Sequence, residues 1–393
     1  MRYCWLDFET FTIEPALLAP PVVVGSYAWD DGPVCVQHAN PLCVDPALPP
    51  LDETLLAALQ PGVVIVAHNA PFEVAVMLAR RPEWTGLLFP KLRAGEIRCT
   101  MGREKLIRVA RGDRKEGFAL DDCCEAYRLP APDKENPWRV RFGELWSVRL
   151  ADFPPSARDY SAGDICVREL YWKQDALPPA WLVDQHHQMR AAVALHLTSC
   201  RGFETDPDAA ATLLEETEAK LAEYQAIVLE AGLARWEKKK GVQAVVKTKA
   251  AAEARLVAAY AAQGREPPRG DPTDNMIDAW RAENQEEAST MTQRELAEVV
   301  PGNISLDAEA CENSGDPLLL AYTRFSQAST LRSKVRRLGH SPIQTRYNVL
   351  VATGRTSSSQ GDDPKPGQAW TSYGMQTQNL PRIGARAEEE EHG

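Results

Sequence analysis

Residues 1–9 read M-R-Y-C-W-L-D-F-E. The apolar side chains predict a core strand, yet the run carries Asp7 and Glu9 two positions apart. In a strand, residues i and i+2 point to the same face, so these two carboxylates converge. Converging anions repel unless a cation lies between them or water screens them. The pair marks either a solvated strand end or an acidic site, and the rest of the chain decides which.

Outward from this strand, P-V-V-V-G-S-Y-A-W at 21–29 and P-V-C-V-Q at 33–37 predict two more strands. Asp31-Gly32 between them is a strong hairpin signal. L-D-E-T-L-L-A-A-L at 51–59 predicts a helix, V-V-I-V-A at 63–67 a strand and P-F-E-V-A-V-M-L-A at 71–79 a second helix. An antiparallel start followed by strand and helix in alternation predicts an α/β fold: a mixed sheet with helices on its faces. Residues 98–175 read as mostly helical, and an amphipathic helix at 183–197 is stopped by Gly202. The main domain boundary is expected near 178–182, at L-P-P-A-W. Another helix opens at Asp206 as N-cap with Pro207 in its first position, and runs to about Gly232. Its length suggests an arm rather than a compact globule. Residues 235–305 are polar, with R-E-P-P-R-G-D-P at 265–272 marking a loop.

At 393 residues, 44% hydrophobic and 25% charged, the composition is that of an ordinary globular protein of two or three domains. No apolar run is long enough to span a bilayer and the N-terminus does not read as a signal peptide, which predicts a cytoplasmic protein. The nine cysteines are scattered without a C-x-x-C pair, which argues for reduced thiols and against zinc. The net charge of -11 is unevenly spread. Residues 320–386 carry Arg324, Arg332, Lys334, Arg336, Arg337, Arg346, Arg355, Lys365, Arg382 and Arg386 against only Asp362 and Asp363. Such a one-sided segment is a candidate phosphate-binding surface.

Two further stretches bear on the acidic pair. H-N-A-P-F-E at 68–73 follows a predicted strand and brings Asn69 and Glu73 to the strand–helix junction. Y-S-A-G-D at 160–164 lies in an apparently helical stretch that continues I-C-V-R-E-L, so Tyr160 and Asp164 share a helix face. Hydrolysing a phosphodiester requires charge stabilisation at an attacking and a leaving oxygen, which two divalent ions about 3.5–4 Å apart provide. Asp7, Glu9, Glu73 and Asp164 supply carboxylates for two such ions, and hard oxygen ligands favour magnesium or manganese. The phenol of Tyr160, neutral at pH 7, can orient the attacking water without competing for the metal.

In order and spacing, D-F-E, H-N-A-P-F-E and Y-S-A-G-D resemble the three motifs of the DEDD superfamily of 3′–5′ exonucleases. The tyrosine resembles the DEDDy branch, which includes proofreading domains of family A DNA polymerases. The resemblance implies a ribonuclease H-like sheet over 1–178. It implies Asp7, Glu9, Glu73 and Asp164 as ligands of two Mg2+ or Mn2+ ions and Tyr160 as the residue that positions the nucleophile. Thr10, Asn69 and Phe72 would shape the pocket for the strand end. The second motif usually carries Asp where this chain has Glu73, and activity is expected to survive the extra methylene.

R-G-F-E-T-D-P at 201–207, A-T-G-R-T-S-S-S at 352–359 and Q-T-Q-N-L-P-R at 376–382 are similar to thumb and palm-proximal segments of family A polymerases. This implies a mainly helical thumb-like region over 183–345, a DNA-contact segment over 346–386 and an acidic tail at 387–393. Arg355, Thr356, Ser357, Ser358 and Arg382 would donate to phosphates, and Gln378 and Asn379 would read minor-groove acceptors. Palm aspartates and a fingers lysine do not follow Arg382, so this chain is not expected to polymerise by itself. The palm and fingers would come from a separate chain or have been lost. The leading expectation is a phage-type proofreading exonuclease acting on single-stranded or primer-template DNA 3′ ends during replication in a bacterial cytoplasm. The alternatives are an RNA 3′ exonuclease of the same superfamily and a non-catalytic DNA-binding subunit of a split polymerase.

Overall fold

The opening run forms β1 (Arg2–Thr10), the centre of a five-stranded sheet of order β3-β2-β1-β4-β5. The computed structural model describes residues 1–14, 17–113, 117–133, 135–239, 242–289, 291–339, 342–348 and 357–359. β2 (Val22–Trp29) pairs antiparallel with β1, and β3 (Cys35–His38) antiparallel with β2 across the Asp-Gly turn. β4 (Val63–Ala67) pairs parallel with β1, and β5 (Ile97–Cys99) parallel with β4. The mixed α/β sheet is as the sequence predicts.

The alternation along β1 sorts its side chains. Cys4, Leu6 and Phe8 enter the main core with residues of α1 (Leu51–Ala58), α2 (Ala70–Arg80) and α3 (Thr85–Arg93). Trp5 faces the other way, with Val64, Val66, Ile165, Val167 and Tyr171. Asp7 and Glu9 share the parity of Trp5 and hence its face. Gly25 of β2 lets α1 approach closely, since a Cβ there would lie 2.7 Å from Leu51 Cδ1. α4 (Thr100–Arg111), α5 (Leu120–Ala126), α6 (Pro155–Gly163), α7 (Val167–Asp175) and α8 (Gln185–Arg201) complete the helices of this unit.

The chain divides after Glu204, not at 178–182. The reason is α8, whose Met189 and Val193 are buried in the core of the first unit. Residues 342–348, expected to straddle the end of the thumb-like region, also belong with it. Phe203 and Ile343 exchange backbone hydrogen bonds of 2.8 Å, and Ser199 Oγ donates to Thr345 O at 2.5 Å. There β8 (Arg346–Asn348) pairs with β9 (Ser357–Ser359).

The second unit, 205–340, opens with α9 (Pro207–Glu230), capped as predicted: the Asp206 side chain accepts from the Asp208 and Ala209 amides. It continues through a hairpin of β6 (Ala234–Lys239) and β7 (Val242–Lys247), then α10 (Lys249–Ala262), α11 (Asp274–Glu283), α12 (Gln285–Ala288), α13 (Gln293–Val299), α14 (Ala308–Asn313) and α15 (Pro317–Leu338). α9 is no bare arm. Its Leu221 and Val228 join Leu256, Tyr260, Leu319 and Phe325 in a core of their own. Among the described residues no helix is long and apolar enough to cross a membrane.

Candidate metal centre

The site forms where β1 outruns its parallel neighbour. The β1–β4 register ends at Trp5↔Val66, while β2 stays paired with β1 as far as Thr10. Asp7 and Glu9 therefore lie beyond the last pairing with β4, at the carboxyl end of the parallel strands, where ligands of open α/β sheets bind. A register shift between Glu9 and Thr10 re-aims the strand at this point.

Asp164 comes from above the sheet. The helix expected to run through 160–170 is broken: α6 ends at Gly163, and Asp164–Cys166 form a 3-10 turn before α7. Ile165 and Val167 are buried against Trp5, Val64 and Val66, which seats Asp164 over β1. Ligand oxygens of Asp7, Glu9 and Asp164 lie within 4.8 Å of one another. Glu73, in the first turn of α2, is 4% exposed.

Tyr160 is on α6, its ring centroid 6.1 Å from that of Phe142. The next residue, Ser161, shares a 2.5 Å hydrogen bond with Ser26, and both hydroxyls are buried. Ser26 is the register partner of Asp7. One contact thus fixes α6, which bears Tyr160 and leads directly into Asp164, against the strand next to the first carboxylate.

Burial dominates the electrostatics. It raises Asp7 to about 6, and together with Asp7 it raises Asp164 to about 8. Burial, then Asp7 and Asp164, push Glu9 well above the usual carboxylate range, and burial with all three other carboxylates does the same to Glu73. Tyr160 is raised by burial and then by Asp164, Glu9 and Asp7, so it stays a neutral phenol. Distance brings Asp7, Glu9 and Asp164 together, and Glu73 and Tyr160 lie near enough to feel their charge. Oε1 of Glu9 and Oε2 of Glu73 are buried and have no hydrogen-bond partner among the described residues. An all-oxygen donor set with unsatisfied buried anions fits a hard divalent cation such as Mg2+ or Mn2+.

Asn69, Phe72 and Arg139 line a cavity of about 500 Å³. Asn69 is the exposed N-cap of α2, and the Phe72 ring meets His196 edge-on at 6.2 Å. Thr10 follows the register shift, its Oγ1 donating to Phe11 O at 2.7 Å. Arg355, Thr356, Gln378, Asn379 and Arg382 lie outside the described residues. Ser357 and Ser358 fall on β9, with Asn348 and Tyr347 as backbone partners. Of the basic segment, Arg324, Arg332, Lys334, Arg336 and Arg337 lie on α15 in the second unit, where Arg336 pairs with Glu218 at 2.8 Å. Sequence reasoning missed Arg139, Ser26 and Ser161. Arg139 sits in P-W-R-V-R, an aromatic and basic run without periodicity, and two buried serines leave no pattern at all.

No family model matches the chain, and no curated protein matches it. Among solved structures it is similar to the polymerase domain of Pol1 from M. smegmatis, in complex with DNA primer-template and dNTP. The two are 16% identical with a TM-score of 0.47, over 91% of this chain and 51% of that one. The chain spans about half the length of that structure.

Proposed function

We propose that the first unit is a metal-dependent 3′–5′ exonuclease of the DEDDy type, with a ribonuclease H-like sheet, that shortens DNA from its 3′ end. The observation that carries this reading is the gathering of Asp7, Glu9 and Asp164 within 4.8 Å at the carboxyl end of β1, with Glu73 buried alongside. The strand order β3-β2-β1-β4-β5, with antiparallel β1–β2 and parallel β1–β4, supports this reading by leaving the end of β1 free of β4.

Asp7, Glu9, Glu73 and Asp164 would hold two Mg2+ or Mn2+ ions. Bound, the ions supply the positive charge that activates a water and stabilises the leaving oxygen. The residues of the chain do the rest. Tyr160, kept neutral by burial and by its acidic neighbours, holds the attacking water by a hydrogen bond. Phe72 offers a ring face on which the terminal base stacks, and Asn69 a polar contact at its edge. DNA is the substrate because the thumb-like and N-L-P-R segments resemble parts of DNA polymerases.

The full chain with Mg2+ is expected to release mononucleotides from the 3′ end of a single-stranded DNA oligonucleotide, and less readily from RNA. Asp7→Ala should reduce the rate by at least about a hundredfold, the scale for losing one preorganised electrostatic group. Equal degradation by wild type and Asp7→Ala, or salt-dependent DNA binding without any cleavage, would refute the nuclease reading.

A further inference from the structure

We propose that Arg139 is a phosphate anchor for the strand end: its guanidinium takes a backbone phosphate in the cavity that it lines with Asn69 and Phe72. The inference rests on the nuclease reading and adds a residue that none of the motifs contains.

The cavity has four cationic side chains on its wall, Arg98, Arg103, Lys105 and Arg139. Three of them are engaged. Arg98 donates to the Tyr171 hydroxyl, Arg103 bonds Gln185 at 2.6 Å and Asp175 at 2.9 Å, and Lys105 lies 5.5 Å from the centre of the Phe118 ring. Arg139 is exposed, and its side chain makes no hydrogen bond or ion pair with the described residues. It is nevertheless firmly placed. Its 3-10 turn, Pro137–Val140, is capped by Asn136, whose side chain accepts from Trp138 N at 3.0 Å and donates to Ser156 O at 3.3 Å. Trp138 Nε1 donates to Ser156 Oγ at 3.1 Å. Ser156 lies at the start of α6, the helix that carries Tyr160. Aromatic rings continue the link, with Trp138 to Phe142 at 6.5 Å and Phe142 to Tyr160 at 6.1 Å.

Arg139 thus lines the cavity from a turn bonded to the helix that carries Tyr160. It lines the cavity with Asn69 and Phe72, and its charge opposes the upward push on Asp164 and Tyr160. An arginine on a turn bonded to its neighbours, with its guanidinium donors unspent, is suited to grip a phosphate in bidentate fashion. It lies beside an acidic cluster that would otherwise repel a polyanion.

The test uses the full chain and three variants: Arg139→Ala, Arg139→Lys and Asp7→Ala. Binding of a fluorescein-labelled single-stranded DNA oligonucleotide is followed by anisotropy in EDTA, and mononucleotide release is followed in Mg2+. Arg139→Ala should weaken binding and raise KM by about tenfold with kcat nearly unchanged, the cost of one charge-assisted contact. The slope of log affinity against log salt should shrink by about 0.7, one phosphate contact fewer. Arg139→Lys, which keeps the charge and loses the fork, should retain the salt slope and recover part of the affinity. A folding defect would not change the salt slope in this graded way. Wild-type affinity, salt slope and KM in Arg139→Ala would overturn the anchor, as would a fall in kcat without any change in binding. If the nuclease reading is the one at fault, wild type and Asp7→Ala alike release nothing.

Discussion

Glu73 is a buried acid with one oxygen unsatisfied, and its surroundings are three more carboxylates. Ionising it without a cation costs stability, which is the meaning of its strongly raised pKa. Glutamine at this position keeps the shape, removes the charge and can donate to a neighbouring carboxylate. Glu73→Gln should therefore raise the Tm of the metal-free protein by about 2–4 °C, the shift expected for roughly 1 kcal/mol in a unit of this size. In Mg2+ the same change should lower Tm relative to wild type, because one ligand charge is gone. Thermal melts of both proteins at neutral pH, in EDTA and in Mg2+, read the two signs directly. A Tm that falls in EDTA would mean that Glu73 is paired in the free protein and that the cluster is less strained than its burial implies.

At the scale of elements, the Ser26–Ser161 bond is the link between strand and helix at the site. Removing one hydroxyl strands the other in a buried position, at a cost of about 1–3 kcal/mol, whereas removing both is nearly neutral. Ser161→Ala is thus expected to lose both stability and exonuclease rate, and the double variant Ser26→Ala/Ser161→Ala to recover stability. If the bond aligns Tyr160 and Asp164 over Asp7, the double variant keeps a reduced kcat. Denaturant unfolding beside single-turnover rates separates the two, and a double variant with full kcat would reduce the pair to packing. The same elements show what the sequence could reveal. Four of the five strands were legible because their apolar runs are short and bounded by Gly, Pro and Asp-Gly turns; β5, only three residues long, falls at the edge of a stretch that reads as helical. The three acidic motifs were legible because metal sites draw carboxylates to strand ends and first helical turns. The break at Gly163 was not, because Y-S-A-G-D-I-C-V-R-E-L has an unbroken helical pattern. Only the burial of Ile165 and Val167 under the sheet decides it. The domain boundary was missed for a similar reason: α8 is amphipathic, and nothing local says which core takes Met189 and Val193.

For the whole molecule, the two units have separate cores, and the acidic cluster found among the described residues lies in the first. A ligand that binds only the folded state stabilises it by RT ln(1 + [L]/Kd), about 2.7 kcal/mol at a hundredfold excess over Kd. Mg2+ should therefore act on one unit alone. Hydrogen exchange read by mass spectrometry is expected to slow in β1, in the first turn of α2 and in α6 when Mg2+ replaces EDTA. Exchange in α9 and α15 should stay the same. Asp7→Ala should abolish the slowing without altering exchange in the second unit, because the charge that holds the ion is lost while the helical core of 205–340 is untouched. Uniform slowing across both units, or slowing that persists in Asp7→Ala, would place the cation elsewhere and remove the physical basis for grouping these carboxylates into one centre.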